Sequence, residues 1–232
     1  MHLRFRLAAI AALLAALPAT AATEQRSVSG FHALAVSVPA HVTVMQGAAE
    51  DVALTADDDV IAKIETVVEA GVLRIRFPRG IHPHPTRPIA ITVHVRSLDS
   101  VATAGAVTVE IPRIEGERLA VKLAGSGRIV LPDVKLAALS IGTSGHAHGL
   151  AIGRADALDV HMAGEGEMNA VRLDARRADV RIAGSAKVVV WVRERLDAAI
   201  TGSGSVAYFG DPAVRSHVNG SGWVRRTAAA PP

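Results

Sequence analysis

The chain has 232 residues, half of them hydrophobic and 3% aromatic, with 25 Lys and Arg against 22 Asp and Glu, and no cysteine. Lack of cysteine excludes disulfide staples and lipoprotein attachment, so the apolar core has to hold the fold unaided. The formal charge of +3 falls to +1 once residues 1–21 are set aside, because Arg4 and Arg6 lie there and no acid does; no electrostatic argument for a nucleic-acid partner survives.

In chain order, MHLRFRLAAIAALLAALPATA reads as a secretory signal peptide cleaved after about Ala21, with Arg4 and Arg6 before an apolar run and an A-x-A site at its end. The mature product is therefore expected to be exported, either to the periplasm or to the cell surface and beyond. No later stretch is long and apolar enough to span a bilayer.

Residues 22–97 read as an N-terminal β segment. FHALAVSVPAHVTVMQG, DVALTA, GVLRIRF and IAITVHV alternate apolar and polar positions, and turn signals at Pro39, Gly47, Gly71 and Pro78-Arg79-Gly80 separate them. DDDVIAKIETVVEAG predicts a short helix with Asp57 to Asp59 at its start and Ile61, Ile64 and Val68 on one face. The loop IHPHPTRP is expected to be irregular.

Residues 98–226 repeat. LAVKLAGSGRIVL, ALSIGTSGHAHGL, LDVHMAGEGEMNA, ADVRIAGSAKVVV, LDAAITGSGSVAY and VRSHVNGSGWVRR each run from a period-two strand through a glycine corner into a second strand. The corner glycines are Gly125, Gly127, Gly145, Gly164, Gly166, Gly184, Gly202, Gly204, Gly220 and Gly222, and the corner centres fall at Ala106, Ser126, Ser144, Glu165, Ser185, Ser203 and Ser221. A phosphate loop would need one such corner leading into a helix, and a flexible linker would not be bracketed by apolar alternation. The expected fold is all-β, a parallel β-helix or β-solenoid of about seven glycine-cornered turns, with the N-terminal segment continuing or capping it. Residues 227–232 are expected to be a disordered tail.

On GFHALAVSVPAHVTVMQG, VALTADDDVIAKIETVVEAGVLRI, the GSG repeats and ITGSGSVAYFGDPAVRSHVNGSGWV, the chain resembles the bacterial family of the auto-transporter adhesin head GIN domain. The resemblance covers essentially the whole mature chain. It implies an exported, all-β protein of parallel β-helix character, and it brings no catalytic motif with it.

Asp159, Asp179 and Asp197 recur at one place in three successive repeats with outward parity, so stacking would bring them into a column with Arg181 nearby. Such a column could bind a cation or act as the acid pair of a polysaccharide-cleaving enzyme; a solvated face neutralised by Arg176, Arg177, Arg181, Arg193 and Arg195 is the competing reading. His146 with His148, and His82 with His84, each lack a third ligand that the sequence places. His161 and His217 share an outward slot with Lys122, Ser140, Arg181 and Ala199. The corner serines are equivalent to one another, which speaks for a structural role. Trp191, Tyr208, Phe209 and Trp223 gather near the end, where they could close the core. No cofactor and no metal centre is assigned. The leading expectation is a non-enzymatic envelope interaction or adhesion-type module that meets an envelope protein or glycan; a polysaccharide-active enzyme and a self-associating structural protein are the alternatives.

Overall fold

The computed structural model describes residues 22–81, 83 and 85–228. The expected signal peptide, the pair His82 and His84, and residues 229–232 of the expected tail lie outside the described residues, while Thr227 and Ala228 of that tail belong to a strand. The elements are β1 (Ala22–Ser27), β2 (Ala33–Val36), β3 (Ala40–Gln46), β4 (Asp51–Ala56), α1 (Asp58–Ile61), β5 (Glu65–Glu69), β6 (Val72–Arg76), β7 (Ile89–Val95), β8 (Ser100–Ala104), β9 (Val107–Glu110), β10 (Ile114–Gly184), β11 (Lys187–Gly202), β12 (Ser205–Phe209), β13 (Ala213–Gly220) and β14 (Trp223–Ala228).

Alternation places the strands where the sequence reads them. In β7, Ile89, Ile91, Val93 and Val95 are buried, and in β4, Val52, Leu54 and Ala56 are, so each strand turns one face to the core. The helix is shorter than expected. It stops at Ile61, and Val68 lies in β5 instead, because the β-branched run Thr66-Val67-Val68 pairs antiparallel with β6. A two-residue turn joins the two strands. Ala70 and Gly71 both have positive φ, 50° and 77°, the backbone a tight hairpin demands.

The fold is all-β, but it is not the parallel β-solenoid of about seven glycine-cornered turns that the repeat suggests. Ten strands are hydrogen-bonded along one path, β1-β4-β7-β3-β9-β10-β8-β2-β6-β5, within a single 14-stranded sheet. The directions are mixed, since β1·β4, β4·β7 and β5·β6 are antiparallel while β3·β7, β3·β9, β9·β10, β8·β10, β2·β8 and β2·β6 are parallel. The ten strands form a nearly closed barrel. Its end strands β1 and β5 are spanned by Arg26, whose guanidinium on β1 donates to Thr66 Oγ1 on β5 at 2.7 Å and to the Ile61 carbonyl at 3.1 Å.

The glycine corners do not separate the repeat into turns either. Residues 114–184 are one 71-residue strand, bent at glycines of positive φ while its hydrogen bonding continues. Apolar alternation reports which face a residue takes. It is silent on strand direction and on whether a corner interrupts pairing, and both features escaped the sequence reading for that reason.

Beyond the path, β11 pairs β10, β12 and β13, and β14 pairs β12, all in parallel. One apolar cluster runs from Phe31 to Val206 through the interior. Thr103 is the single polar side chain in that core among the described residues.

Candidate functional site

The corner glycines fix the register of the outward side chains. Gly105, Gly125, Gly145, Gly164, Gly184, Gly202 and Gly220 all have positive φ and lie one against the next. A Cβ on Gly125 would stand 2.8 Å from the Gly105 carbonyl oxygen, and one on Gly202 would stand 2.5 Å from that of Gly184. Close backbone approach and left-handed φ together require glycine here. Gly127, Gly204 and Gly222 lack positive φ, and their contribution is space: a Cβ on Gly204 would meet Ile182 Cγ2 at 2.6 Å.

This column changes the phase of one repeat. Gly145 stands on Gly125, so the residue that matches Ser126 is His146, and Ser144 precedes the corner. The segment 138–150 carries two residues more before its glycine than the motif GSG suggests. By the same count Gly142, and not Ser140, takes the outward slot between Lys122 and His161; a Cβ on Gly142 would lie 3.9 Å from Lys122 Cγ.

Two outward rows then cross neighbouring strands. Lys122 faces Ala102, Arg181 faces Ala199, and Ala199 faces His217, while Asp179 faces Asp197 and Asp197 faces Arg215. Over the middle of these rows lies an open groove of about 790 Å³. Ala102, Ala124, Gly142 and Ala183 give it a low floor, and Lys122, Asp159, His161 and Arg181 supply its ionisable groups. The groove exists because glycine and alanine stand where longer side chains would fill the sheet face.

The three aspartates are adjacent, as their spacing predicts; Asp179 and Asp197 are each held by an arginine, while Asp159 Oδ1 is buried with no hydrogen-bond donor among the described residues. Arg181 donates to Asp179 Oδ2 at 2.7 Å and lies 2.6 Å from His161 Nε2, while His161 Nε2 is 3.3 Å from Asp159 Oδ1. Arg195 donates twice to Asp197, at 2.6 and 3.1 Å. That hydrogen bonding holds the Asp197 carboxyl below its usual range. Asp179 moves the other way: burial raises it, Arg181 offsets part of the effect, and the neighbouring Asp159 and Asp197 charges add to the rise. Asp159, His161 and Asp179 offer ligand atoms within 4.8 Å of one another. Arg181 bonds two of the three, so its guanidinium already supplies the positive charge a cation would bring.

His217 lies exposed on β13, beside Ala199. Phe209 is buried, Tyr208 packs against the core, and Trp223 stays exposed with Arg225 stacked 5.1 Å from its ring. Among the described residues no helix is long and apolar enough to cross a membrane.

The family model described as "Putative auto-transporter adhesin, head GIN domain" matches residues 30–212, and the chain belongs to that family. Solved structures share the fold. A "putative adhesin" from Bacteroides fragilis is 19% identical with a TM-score of 0.85, covering 90% of this chain and 97% of that one. A second from Parabacteroides merdae is 18% identical with a TM-score of 0.73 and the same two coverages. A "putative lipid binding protein" from Parabacteroides distasonis is 24% identical with a TM-score of 0.72, covering 90% and 98%. A search of curated proteins finds no match.

Proposed function

We propose that the protein is an exported, non-enzymatic binding module of the cell envelope, and that its contact face is the groove over Gly142. The observation that carries this reading is the make-up of the groove: a low floor of small residues with Lys122, Asp159, His161 and Arg181 among its lining residues. A floor without long side chains lets an extended glycan or protein segment lie close to the sheet, and the charged groups give it polar partners at low reorganisation cost. The arginine partners of Asp179 and Asp197 favour binding over acid–base chemistry, since each carboxyl is already engaged by a guanidinium group and neither is free to exchange a proton with a substrate. Filling the floor with Ala183→Trp and screening both proteins against a glycan panel, envelope extract and lipid vesicles tests the reading; vesicles belong in the panel because the Parabacteroides distasonis relative is named for lipid binding.

Self-association is a second reading with its own observation. Val214, Val218 and Trp223 are 37%, 38% and 37% exposed on β13 and β14, although Val214 and Val218 are in register with the buried Leu196 and Ile200. Among the described strands β13 pairs only with β11 and β14 only with β12, which leaves two open edges. Sedimentation across a range of concentrations decides it; a single monomer throughout removes this reading.

A further inference from the structure

We infer that His146 and His148 form a binding site for a divalent transition-metal ion of the zinc or copper class, supported by Glu165 from the neighbouring run of β10. The two Nε2 atoms are 3.3 Å apart, with the rings edge to face at 75°. Zinc holds imidazole nitrogens at ~2.0–2.1 Å, so two nitrogens on one tetrahedral ion are roughly 3.4 Å apart. The pair therefore already stands at the spacing that chelation requires. A proton shared between the two nitrogens is what the ion would replace.

The register supplies what the sequence spacing lacked. Gly166 lies against the backbone of Ala147. Glu165 and Glu167 therefore flank Gly166 as His146 and His148 flank Ala147, all four pointing outward. Glu165 Oε2 is 3.9 Å from His146 Nδ1. A carboxylate beside the second ring nitrogen is the usual outer partner of a metal-bound histidine; closing that gap to hydrogen-bond distance would hold the proton on Nδ1 and leave Nε2 free to ligate. Glu167 is engaged with Lys187 at 3.2 Å. Arg128 lines the same shallow cavity of about 310 Å³ and opposes a cation there, and Glu165 is the carboxylate beside the pair that offsets it. Imidazole ligands favour zinc and copper over magnesium or calcium, whose preference is for oxygen. This site is independent of the groove.

Calorimetric titration of the full chain with zinc sulfate, copper sulfate and magnesium sulfate tests the inference. Saturable one-to-one binding of zinc and copper is expected, with no heat from magnesium. His146→Ala and His148→Ala should each weaken binding by about a hundredfold, and Glu165→Gln by about tenfold, the range seen when outer partners are removed. His161→Ala should leave the affinity unchanged. Circular dichroism melts of the exposed variants separate loss of ligand from loss of fold. Failure to bind zinc or copper, or binding that survives His146→Ala and His148→Ala together, overturns the site.

Discussion

Arg26 on the first strand donates to Thr66 on the fifth at 2.7 Å, and so one side chain spans the two ends of the ten-strand path. The same guanidinium reaches the carbonyls of Ile61 and Ile64, so it anchors the short helix and the strand that follows. Backbone pairing does not join β1 to β5, and the barrel is completed by a charged hydrogen-bond donor.

Arg26→Ala should therefore open this seam. Loss of hydrogen bonds from a charged, largely covered group costs about 2 kcal/mol, and for a chain of this size the melting temperature falls by roughly 4–8 °C. Arg26→Lys should recover little, because one ammonium cannot reach three acceptors with the geometry of a planar fork. A melt of the alanine variant that matches the parent would show that the seam does not depend on Arg26.

The glycine column makes a second stability test. Gly202 has φ of 118°, and a side chain there would press on the Gly184 carbonyl. Gly202→Val adds β-branching in the left-handed region, with a loss of about 3 kcal/mol and a drop of roughly 6–12 °C by thermal melt. Gly47, with open space where its Cβ would go and no positive φ, is the control: Gly47→Ala should change the melt by less than about 2 °C.

Acid sensitivity follows from two carboxylates with opposite shifts. Asp197 is held below its usual value by Arg195, so its contribution to stability is present above the unfolded-state value near 4 and disappears as pH falls through the lower folded value. Asp179 is raised by burial, so its ionisation opposes folding and the penalty is relieved as pH drops through the raised value. Asp197→Asn should lose stability at pH 7 and flatten the acid limb of the melting profile. Asp179→Asn should cost less at pH 7 and steepen that limb. Identical profiles for the two variants would contradict these assignments.

Much of this arrangement is legible in the residues. Asp51–Ala56 and Ile89–Val95 were readable to the residue because alternation there is strict and turn formers bound it. The adjacency of Asp179 and Asp197 came from an 18-residue interval alone. β1 escaped, since ATEQRS offers no apolar alternation and is a strand only because β4 pairs with it. The fold class escaped too: periodicity assigns faces, while the antiparallel pairings of β1 with β4 and of β4 with β7 are set by contacts distant in sequence. The His146–Glu165 relationship needed the true phase of Gly145, and a motif aligned on Ser144 hides it. Gly142 shaped the groove for the same reason, as a gap seen only once the rows are in register.

Binding at the groove is the most direct test of what the protein does. Parent and Ala183→Trp proteins, shown by melting to be equally folded, are to be compared for saturable binding to an immobilised glycan panel, lipid vesicles and envelope extract. Parent binding of one class of ligand that Ala183→Trp weakens by about tenfold or more would place the contact in the groove. Equal binding by both proteins, or cleavage of a glycan by the parent, would contradict a groove-based binding module.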